Sequence, residues 1–343
     1  MDFFSCRKKG KGAFALNSEG ENTVDEISLV IPVKNEEAGM QALIDSIARQ
    51  TRLPEEVIFV DGGSSDGTKD IIRSNMERLP YIRLVETEKS YPGEGRNIGL
   101  EKSKNDLVAF TDGGIILDRA WLEELFSAMK KEIGAEAIYG AYEPVADSPI
   151  KQASLLAYIP PKAKKNGARF RTDFIASSLF EKGLVRRLGG FPPFRAAEDK
   201  IFMEKVKESK AAVAYAPRAM VYWQVPGSVA AIFRRASEFS THDIAAGRFR
   251  DWHFSVLRSY AVIFLFAAAG FIFSPLFFIG IFFVFAARIA FMFYRKAEPA
   301  GKAKYLFNPK LAVLVPVVLL TVDLGMFAGT LAYLFLNLRG KKI

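Results

Sequence analysis

The chain has 343 residues, 50% of them hydrophobic and 13% aromatic, enough for one catalytic-sized domain plus a smaller apolar unit. Its formal charge of +9 is unevenly placed: from Arg258 onward ten basic residues face only Glu298 and Asp323, so the remainder is close to neutral and lacks a nucleic-acid footprint. The single cysteine, Cys6, excludes an intrachain disulfide and demands no oxidising compartment.

Residues 1–26 are rich in Lys, Gly, Ser, Asn and Glu and lack the apolar core of a signal peptide. A flexible tail that stays in the cytoplasm is expected, with a basic membrane-touching arm through Arg7, Lys8, Lys9 and Lys11 as the alternative. Strand and helix signals then alternate. Ile27-Ser-Leu-Val-Ile-Pro, Val57-Ile-Phe-Val, Ile82-Arg-Leu-Val, Leu107-Val-Ala-Phe and Ala137-Ile-Tyr-Gly-Ala-Tyr read as strands. Met40, Leu43, Ile44 and Ile47 recur at helical spacing within Glu36–Arg49, and a second helix carrying Ile71 and Ile72 follows Ser65-Asp-Gly-Thr. Strands separated by helix-length crossovers imply a mostly parallel α/β sheet, whose ligands gather beyond the strands' C-terminal ends. Asp61 and Asp112 both stand at such ends.

Farther on, Gly189-Gly-Phe-Pro-Pro is turn-rich, Glu198–Lys210 reads as a helix and Val213-Ala-Tyr as a short strand. Residues 228–241 make a plausible amphipathic helix, with Val229, Ile232, Phe233, Ala236 and Phe239 on one face and Arg234, Arg235 and Glu238 elsewhere. Tyr260–Tyr294 is almost unbroken Phe, Ile, Ala, Val and Leu, long enough for two membrane helices broken at Ser274-Pro275. Arg295, Lys296, Lys302, Lys304 and Lys310 place the intervening segment on the cytoplasmic side by the positive-inside rule. Leu311–Leu338 is a third apolar run, interrupted by Asp323. As a full span it carries Arg339, Lys341 and Lys342 outside, against that rule; the alternative is a re-entrant or interfacial segment. The expected organisation is a tail (1–26), a catalytic domain (27–257, with 228–257 interfacial) and a membrane domain (258–343).

Four ordered patterns carry the chemistry: Ile31-Pro-Val-Lys-Asn-Glu-Glu, Val60-Asp-Gly-Gly-Ser-Ser-Asp-Gly-Thr, Phe110-Thr-Asp-Gly-Gly and Glu198-Asp199. Together they resemble family 2 glycosyltransferases of the GT-A nucleotide-diphospho-sugar transferase fold, a Rossmann-like mixed sheet. By that resemblance Pro32, Val33 and Glu36 border the nucleotide and Asp61 accepts from the base or ribose; from the residues themselves, Asn35 reads as a helix cap. Asp66 has the separate role of turn and cap. No Gly-Lys-Ser/Thr follows the glycines, so this is not a Walker loop.

The resemblance also brings Arg96, in Gly93-Glu-Gly-Arg-Asn-Ile-Gly, toward the diphosphate, the alternative being a surface helix start. Asp112 stands at the family's Asp-x-Asp motif, which holds Mg²⁺ or Mn²⁺ on the diphosphate, but Gly114 replaces the second carboxylate. Asp118 reads as a cap for the helix at Trp121. Asp199 resembles the general base and Glu198 its orienting neighbour. Arg234 or Arg235 reaches the phosphates or faces lipid head groups, and His242 reads as a surface histidine. No processive Gln-x-x-Arg-Trp motif is present, which disfavours long-chain polymer synthesis.

The expectation is a membrane-associated inverting transferase moving one sugar from a nucleotide-diphosphate sugar to a lipid-linked acceptor. The alternatives are a soluble or polysaccharide hydroxyl acceptor and a catalytically weak membrane scaffold. A sugar nucleotidyltransferase lacks its Gly-rich basic signature in Ile27–Glu37.

Overall fold

The computed structural model describes residues 26–157, 159, 163–165, 168–170, 174–296 and 308–340. The expected tail before Glu26, the side chains of Arg295 and Lys296, and Lys302, Lys304, Lys341 and Lys342 lie outside the described residues.

In chain order the first half runs β1 (Ile27–Val33), α1 (Glu37–Ala48), β2 (Glu56–Asp61), α2 (Thr68–Met76), β3 (Ile82–Glu86), α3 (Pro92–Lys102), β4 (Leu107–Phe110), β5 (Ile115–Leu117), α4 (Trp121–Lys131) and β6 (Ala137–Val145). There follow α5 (Pro149–Ala157), the pair β7 (Ala163–Lys165) and β8 (Ala168–Phe170), then β9 (Ser178–Glu181), α6 (Lys182–Arg187), α7 (Glu198–Glu208) and β10 (Val213–Gln224). Eight strands form one mixed sheet in the order β3-β2-β1-β4-β9-β6-β10-β5. The chain moves outward from β1 through β2 to β3, then returns to place β4 on the other side of β1. The crevice beyond the ends of β1 and β4 is therefore a topological switch point, where such sheets bind ligands.

β1 and β2 are buried at every position, as suits central strands covered on both faces by helices. Met40, Leu43 and Ile44 of α1 and Trp121, Leu122 and Leu125 of α4 pack on one face. Leu100 of α3, Leu184 and Val185 of α6, and Phe202 and Val206 of α7 pack on the other. Gly95 and Gly99 bring α3 against β1: a Cβ on Gly99 would lie 2.3 Å from Val30 Cγ1. That approach carries Arg96 directly beneath the switch point.

The six expected strands are all present, the sixth running on from Val213-Ala-Tyr to Gln224. Two others, β5 and β9, complete the sheet and escape sequence reading, β5 because three residues set up no alternation and β9 because it runs directly into α6. β9 lies antiparallel between β4 and β6, with Phe180 opposite Val108 on one side and Ala137 on the other.

The C-terminal part comprises α8 (Val229–Ala245), α9 (His253–Ile272), a single turn at Pro275–Phe277, α10 (Phe278–Lys296) and α11 (Pro309–Leu338). Three helices are long and apolar enough to cross a membrane. Phe264, Phe271 and Phe282 project outward unburied, as they would toward lipid. A re-entrant segment reverses direction, whereas Pro309–Leu338 is one 30-residue helix that continues through Pro316; its length and composition fit a span and an interfacial helix alike. Asp323 does not interrupt it; its carboxylate is held bidentately by Arg288 of α10 at 2.7 and 2.9 Å and accepts from Tyr260 of α9 at 3.0 Å. A buried charge so enclosed is paired on all sides.

The buried stripe of α8 also differs from the expected one. It is Ile232, Ala236, Ser240 and Thr241, whereas Val229, Phe233 and Phe239 are exposed. The reason lies on α11, where Gly325 and Gly329 open a path for the α8 backbone: a Cβ on Gly329 would meet the Ser237 carbonyl at 2.2 Å. Small residues therefore face small residues, and Ser240 and Thr241 donate to the carbonyls of Met326 and Gly329 at 2.8 and 3.0 Å.

Candidate active site

Three carboxylates stand at three consecutive strand ends around the switch point: Glu36 after β1, Asp61 at the end of β2 and Asp112 after β4. Pro32 and Val33 are buried, and Val33 contributes its backbone, accepting from Gly62 N–H at 2.9 Å. Asn35 does not cap α1. It adopts a left-handed conformation, φ 53°, and its side chain accepts from Ser65 N–H at 2.9 Å, tying the β1 and β2 loops together. Asp66 joins that tie, accepting from Thr68 and from Glu37 N–H.

Asp61 Oδ2 accepts from the N–H groups of Gly63 and Ser64 at 3.0 and 2.9 Å, so one oxygen shapes its own loop. The other, Oδ1, is buried without a hydrogen-bond partner. Such an orphan acceptor beside a ligand crevice is costly unless a ligand donor reaches it.

Arg96 departs from both expectations, being neither exposed nor open to a ligand. Its guanidinium is enclosed, with Nη2 2.6 Å from Asp112 Oδ1 and Nη1 3.0 Å from Glu198 Oε1, and Phe191 covers it at 5.3 Å. One cation thus ties β4, α3 and α7 into a single site. Asp112 keeps about a third of its side chain exposed, at 32%. Glu36 leans on Gly113 and Gly114: a Cβ on Gly113 would lie 2.7 Å from Glu36 Cγ. Burial and the neighbouring Asp112 charge raise the proton affinity of Glu36.

Glu198 and Asp199 open α7 after Ala197, which is left-handed at φ 68°. A non-glycine residue in that conformation is strained and persists where the surroundings demand it. Burial pushes the Glu198 carboxyl up to about 7, opposed by Arg96 and reinforced by Asp199. Burial also raises Asp199, whose Oδ1 accepts from Lys200 N–H at 2.7 Å.

The α8 residues separate. Arg234 is exposed and has no ion pair among the described residues. Arg235 stacks between Trp223 and Phe239, at 4.8 and 5.1 Å from their ring centres, and its charge is felt at Glu36. His242 is not a surface histidine; it packs edge-on against Tyr91 at 5.4 Å. Burial, together with Arg195 and Lys89, lowers it to about 4, so it is neutral near pH 7. Asp118 accepts from Ala120 N–H at 3.1 Å in the turn before α4 and takes no part in the site. Sequence reading missed Arg195, Tyr91 and Phe191, which sit in turn-rich stretches without periodicity.

Residues 28–178, which hold Glu36, Asp61, Arg96 and Asp112, match the family described as Glycosyl transferase family 2. That segment belongs to glycosyl transferase family 2. The family resemblance extends to curated proteins. Glycosyltransferase AglE of Haloferax volcanii is 35% identical over 105 residues, 30% of this chain and 34% of that protein. Validoxylamine A glucosyltransferase of Streptomyces hygroscopicus subsp. limoneus is 30% identical over 142 residues, 40% of this chain and 31% of its own length. An uncharacterized glycosyltransferase of Haemophilus influenzae is 25% identical over 249 residues, covering 72% of this chain and 96% of the relative. The match thus spans about a third of the length of the first two relatives.

Among solved structures, the mannosyltransferase PcManGT of Pyrobaculum calidifontis, in complex with GDP-Man and Mn²⁺, superposes with a TM-score of 0.50 at 21% identity, covering 88% of this chain and 87% of that one. The family 2 segment here shares that GT-A-like fold.

Proposed function

We propose that the chain is an inverting glycosyltransferase that moves one sugar from a nucleotide-diphosphate sugar to a lipid-linked acceptor at the cytoplasmic face of a membrane. The observation that carries this reading is the Asp112–Arg96–Glu198 bridge, which sets the Glu198-Asp199 pair beside the switch-point crevice. The crevice offers a donor the unpaired Asp61 Oδ1 and the carboxylates of Glu36 and Asp112. Against a hydroxyl acceptor, Asp199 takes the proton as the oxygen attacks the anomeric carbon from the face opposite the leaving diphosphate. Burial raises its proton affinity, the direction a general base needs. Glu198 holds Arg96, and Arg96 fixes Asp112.

The side chains fit a divalent cation with few protein ligands. No group of three or more metal-binding side chains occurs among the described residues. Asp112 would be one ligand, and Glu36, lying against Gly113 and Gly114 where a second carboxylate of the motif would project, the other. Bound there, Mg²⁺ or Mn²⁺ would neutralise charge on the departing nucleoside diphosphate. Arg235 and Arg195, whose charges reach Glu36, supply positive potential from the α8 side.

Calorimetry of the protein in detergent with GDP- and UDP-sugars, with and without Mn²⁺, tests donor binding. Absence of binding by any of them would leave the scaffold alternative standing and remove the enzyme reading. Transfer is then assayed with Asp199→Asn, which should lose about 10²–10⁴-fold with a hydroxyl acceptor. With a lipid phosphate, whose oxygen is already ionised, the same variant should keep most of its rate.

A further inference from the structure

α11 is apolar nearly all round, yet its two long faces meet different surroundings. One stripe, with Leu311, Val315, Val318, Gly325, Met326 and Gly329, is buried. The other, with Val313, Val317, Leu320, Leu324, Leu331 and Phe335, is exposed and recurs at helical spacing. The buried stripe lies against the catalytic domain along its whole length. Ala153 and Leu156 of α5 join Leu311, Val315 and Val318 in one cluster. α8 covers Gly325 and Gly329, where an added Cβ would meet Ala236 Cβ at 2.7 Å and the Ser237 carbonyl at 2.2 Å. Both covering helices are polar on their other sides. α5 carries Lys151, paired with Asp147 at 2.9 Å, and α8 carries the exposed Arg234 and Glu238, while its Arg235 stacks on Trp223 of β10. Leu311 to Gly329 measures roughly 27 Å along the helix axis, close to the ~30 Å of a hydrocarbon core. If α11 crossed that core, α5 and α8 would be drawn into it with their charges, which is expensive.

The α9–α10 hairpin is set differently. Gly270 against Phe278 and Gly280 against Phe266 join its legs, and both legs reach Asp323, through Tyr260 at 3.0 Å and Arg288 at 2.7 Å. From that point toward the open end of the hairpin the legs part along α11. On α10, Met292 joins Leu311, Val315 and Val318, which precede Asp323. On α9, His253 Nε2 lies 2.8 Å from Ser240 Oγ, which donates to the carbonyl of Met326, beyond Asp323. Two legs running beside a parallel helix would shift the same way along it. Opposite shifts place α11 across the hairpin. Toward its tip the hairpin leaves Phe264, Phe271, Phe273 and Phe282 exposed, and the 20 residues of α9 have the ~30 Å length of a crossing.

We propose that the α9–α10 hairpin crosses the membrane while α11 lies in its plane, with the exposed stripe in the hydrocarbon of the leaflet nearest the catalytic domain. The partner of this surface is one leaflet of a bilayer. Protein on one face and lipid on the other account for a helix that is apolar all round. Lys310 and Arg339, at its two ends, then both stand at head-group level. Arg339, Lys341 and Lys342 stay on the side of the catalytic domain, together with the basic segment between α10 and α11, and the conflict with the positive-inside rule disappears. The placement does not depend on which sugar or acceptor the site uses.

The test uses the full chain in phosphatidylcholine bilayers, with Cys6→Ser as background. One nitroxide at a time is attached at Val317→Cys, Leu324→Cys or Leu331→Cys, all on the exposed stripe. Spectral saturation by oxygen against a water-soluble nickel chelate reads depth, and an unchanged thermal midpoint certifies each fold. An in-plane helix should hold all three labels at one shallow depth, about 5–10 Å into the bilayer. A span would set Leu324 roughly 10 Å deeper than the other two, or give a steady gradient along the three, and either result overturns the proposal. Free access of the chelate to all three positions would make the stripe a solvated face, with the same consequence. Shielding from both reagents with spin–spin broadening would make it a contact between two copies and also overturn the assignment to lipid. A second readout does not involve the stripe. In sealed vesicles of one orientation, a cysteine appended after Ile343 should react with an impermeant maleimide from the side that reaches Ile133→Cys, a fully exposed position of the catalytic domain. Ser274→Cys, at the hairpin tip, should react only after permeabilisation. Reaction of the appended cysteine together with Ser274→Cys would show that α11 crosses.

Discussion

Arg96 holds two carboxylates with one buried guanidinium, and the arrangement is costly to break from either side. Arg96→Met leaves Asp112 and Glu198 facing each other without the cation that compensates them. Removing one partner of a buried ion pair typically costs ~3–5 kcal/mol, so denaturant unfolding of this variant should show a loss of that order. Arg96→Lys should recover only part of it, because an ammonium cannot serve two carboxylates with a planar fork. Glu198 gives a second expectation with a definite sign. Its carboxyl is raised to about 7 in the folded protein, above the ordinary carboxylate range of the unfolded chain. The folded state therefore holds this proton more tightly, a stabilising contribution fully present below the unfolded range and lost as pH rises through about 7. Glu198→Gln lacks that dependence, so its stability relative to the parent should rise between about pH 5 and pH 8, read from denaturation midpoints across that span. A constant difference would show that Glu198 does not titrate in this window. Of the site residues, Asp61, Asp112, Glu198 and Asp199 are legible because short ordered motifs announce them. The enclosure of Arg96 is not, since its partners lie 16 and 102 residues away.

Among the elements, α8 is the hinge between chemistry and membrane. Its small-residue stripe packs on Gly325 and Gly329 of α11, and its other side carries Arg235 toward Glu36 and His242 toward Tyr91. A side chain at Gly329 must displace the Ser237 backbone, with which even a Cβ would overlap at 2.2 Å. Gly329→Leu should lower stability by about 1–3 kcal/mol or more, as overpacking does, and should also weaken activity by moving Arg235. Thermal unfolding in detergent, read beside donor affinity, checks both. Retained stability with lost activity would mean that α8 can shift without unfolding. Reading the helical wheel alone placed Phe233 and Phe239 in the buried stripe, since hydrophobicity was the only guide. The observed stripe is chosen by close approach, which a wheel does not measure.

At the scale of the whole molecule, the catalytic sheet and the apolar helices are joined through α5, α8 and α11, which share the cluster of Leu156, Ile232, Leu311 and Val315. A chain ended at residue 250 retains α8 but loses the glycine-bearing surface that covers it. It should aggregate or require detergent, seen as a void-volume peak in size-exclusion chromatography. A monodisperse species would show that α8 folds onto the sheet without α11.

The sequence by itself determined the parallel strands, the helices between them, the carboxylates at the strand ends and the apolar C-terminal runs. These are local signals: period, punctuation and composition act within a few residues. It also located the missing second carboxylate at Gly114. Only the tertiary structure decided what those glycines make room for, that Glu36 lies against Gly113 and Gly114. The same holds for Arg96 between its two carboxylates and for Asp323 held by Arg288. Each depends on which distant segments the sheet order and helix packing bring together, and no spacing within a single segment encodes that.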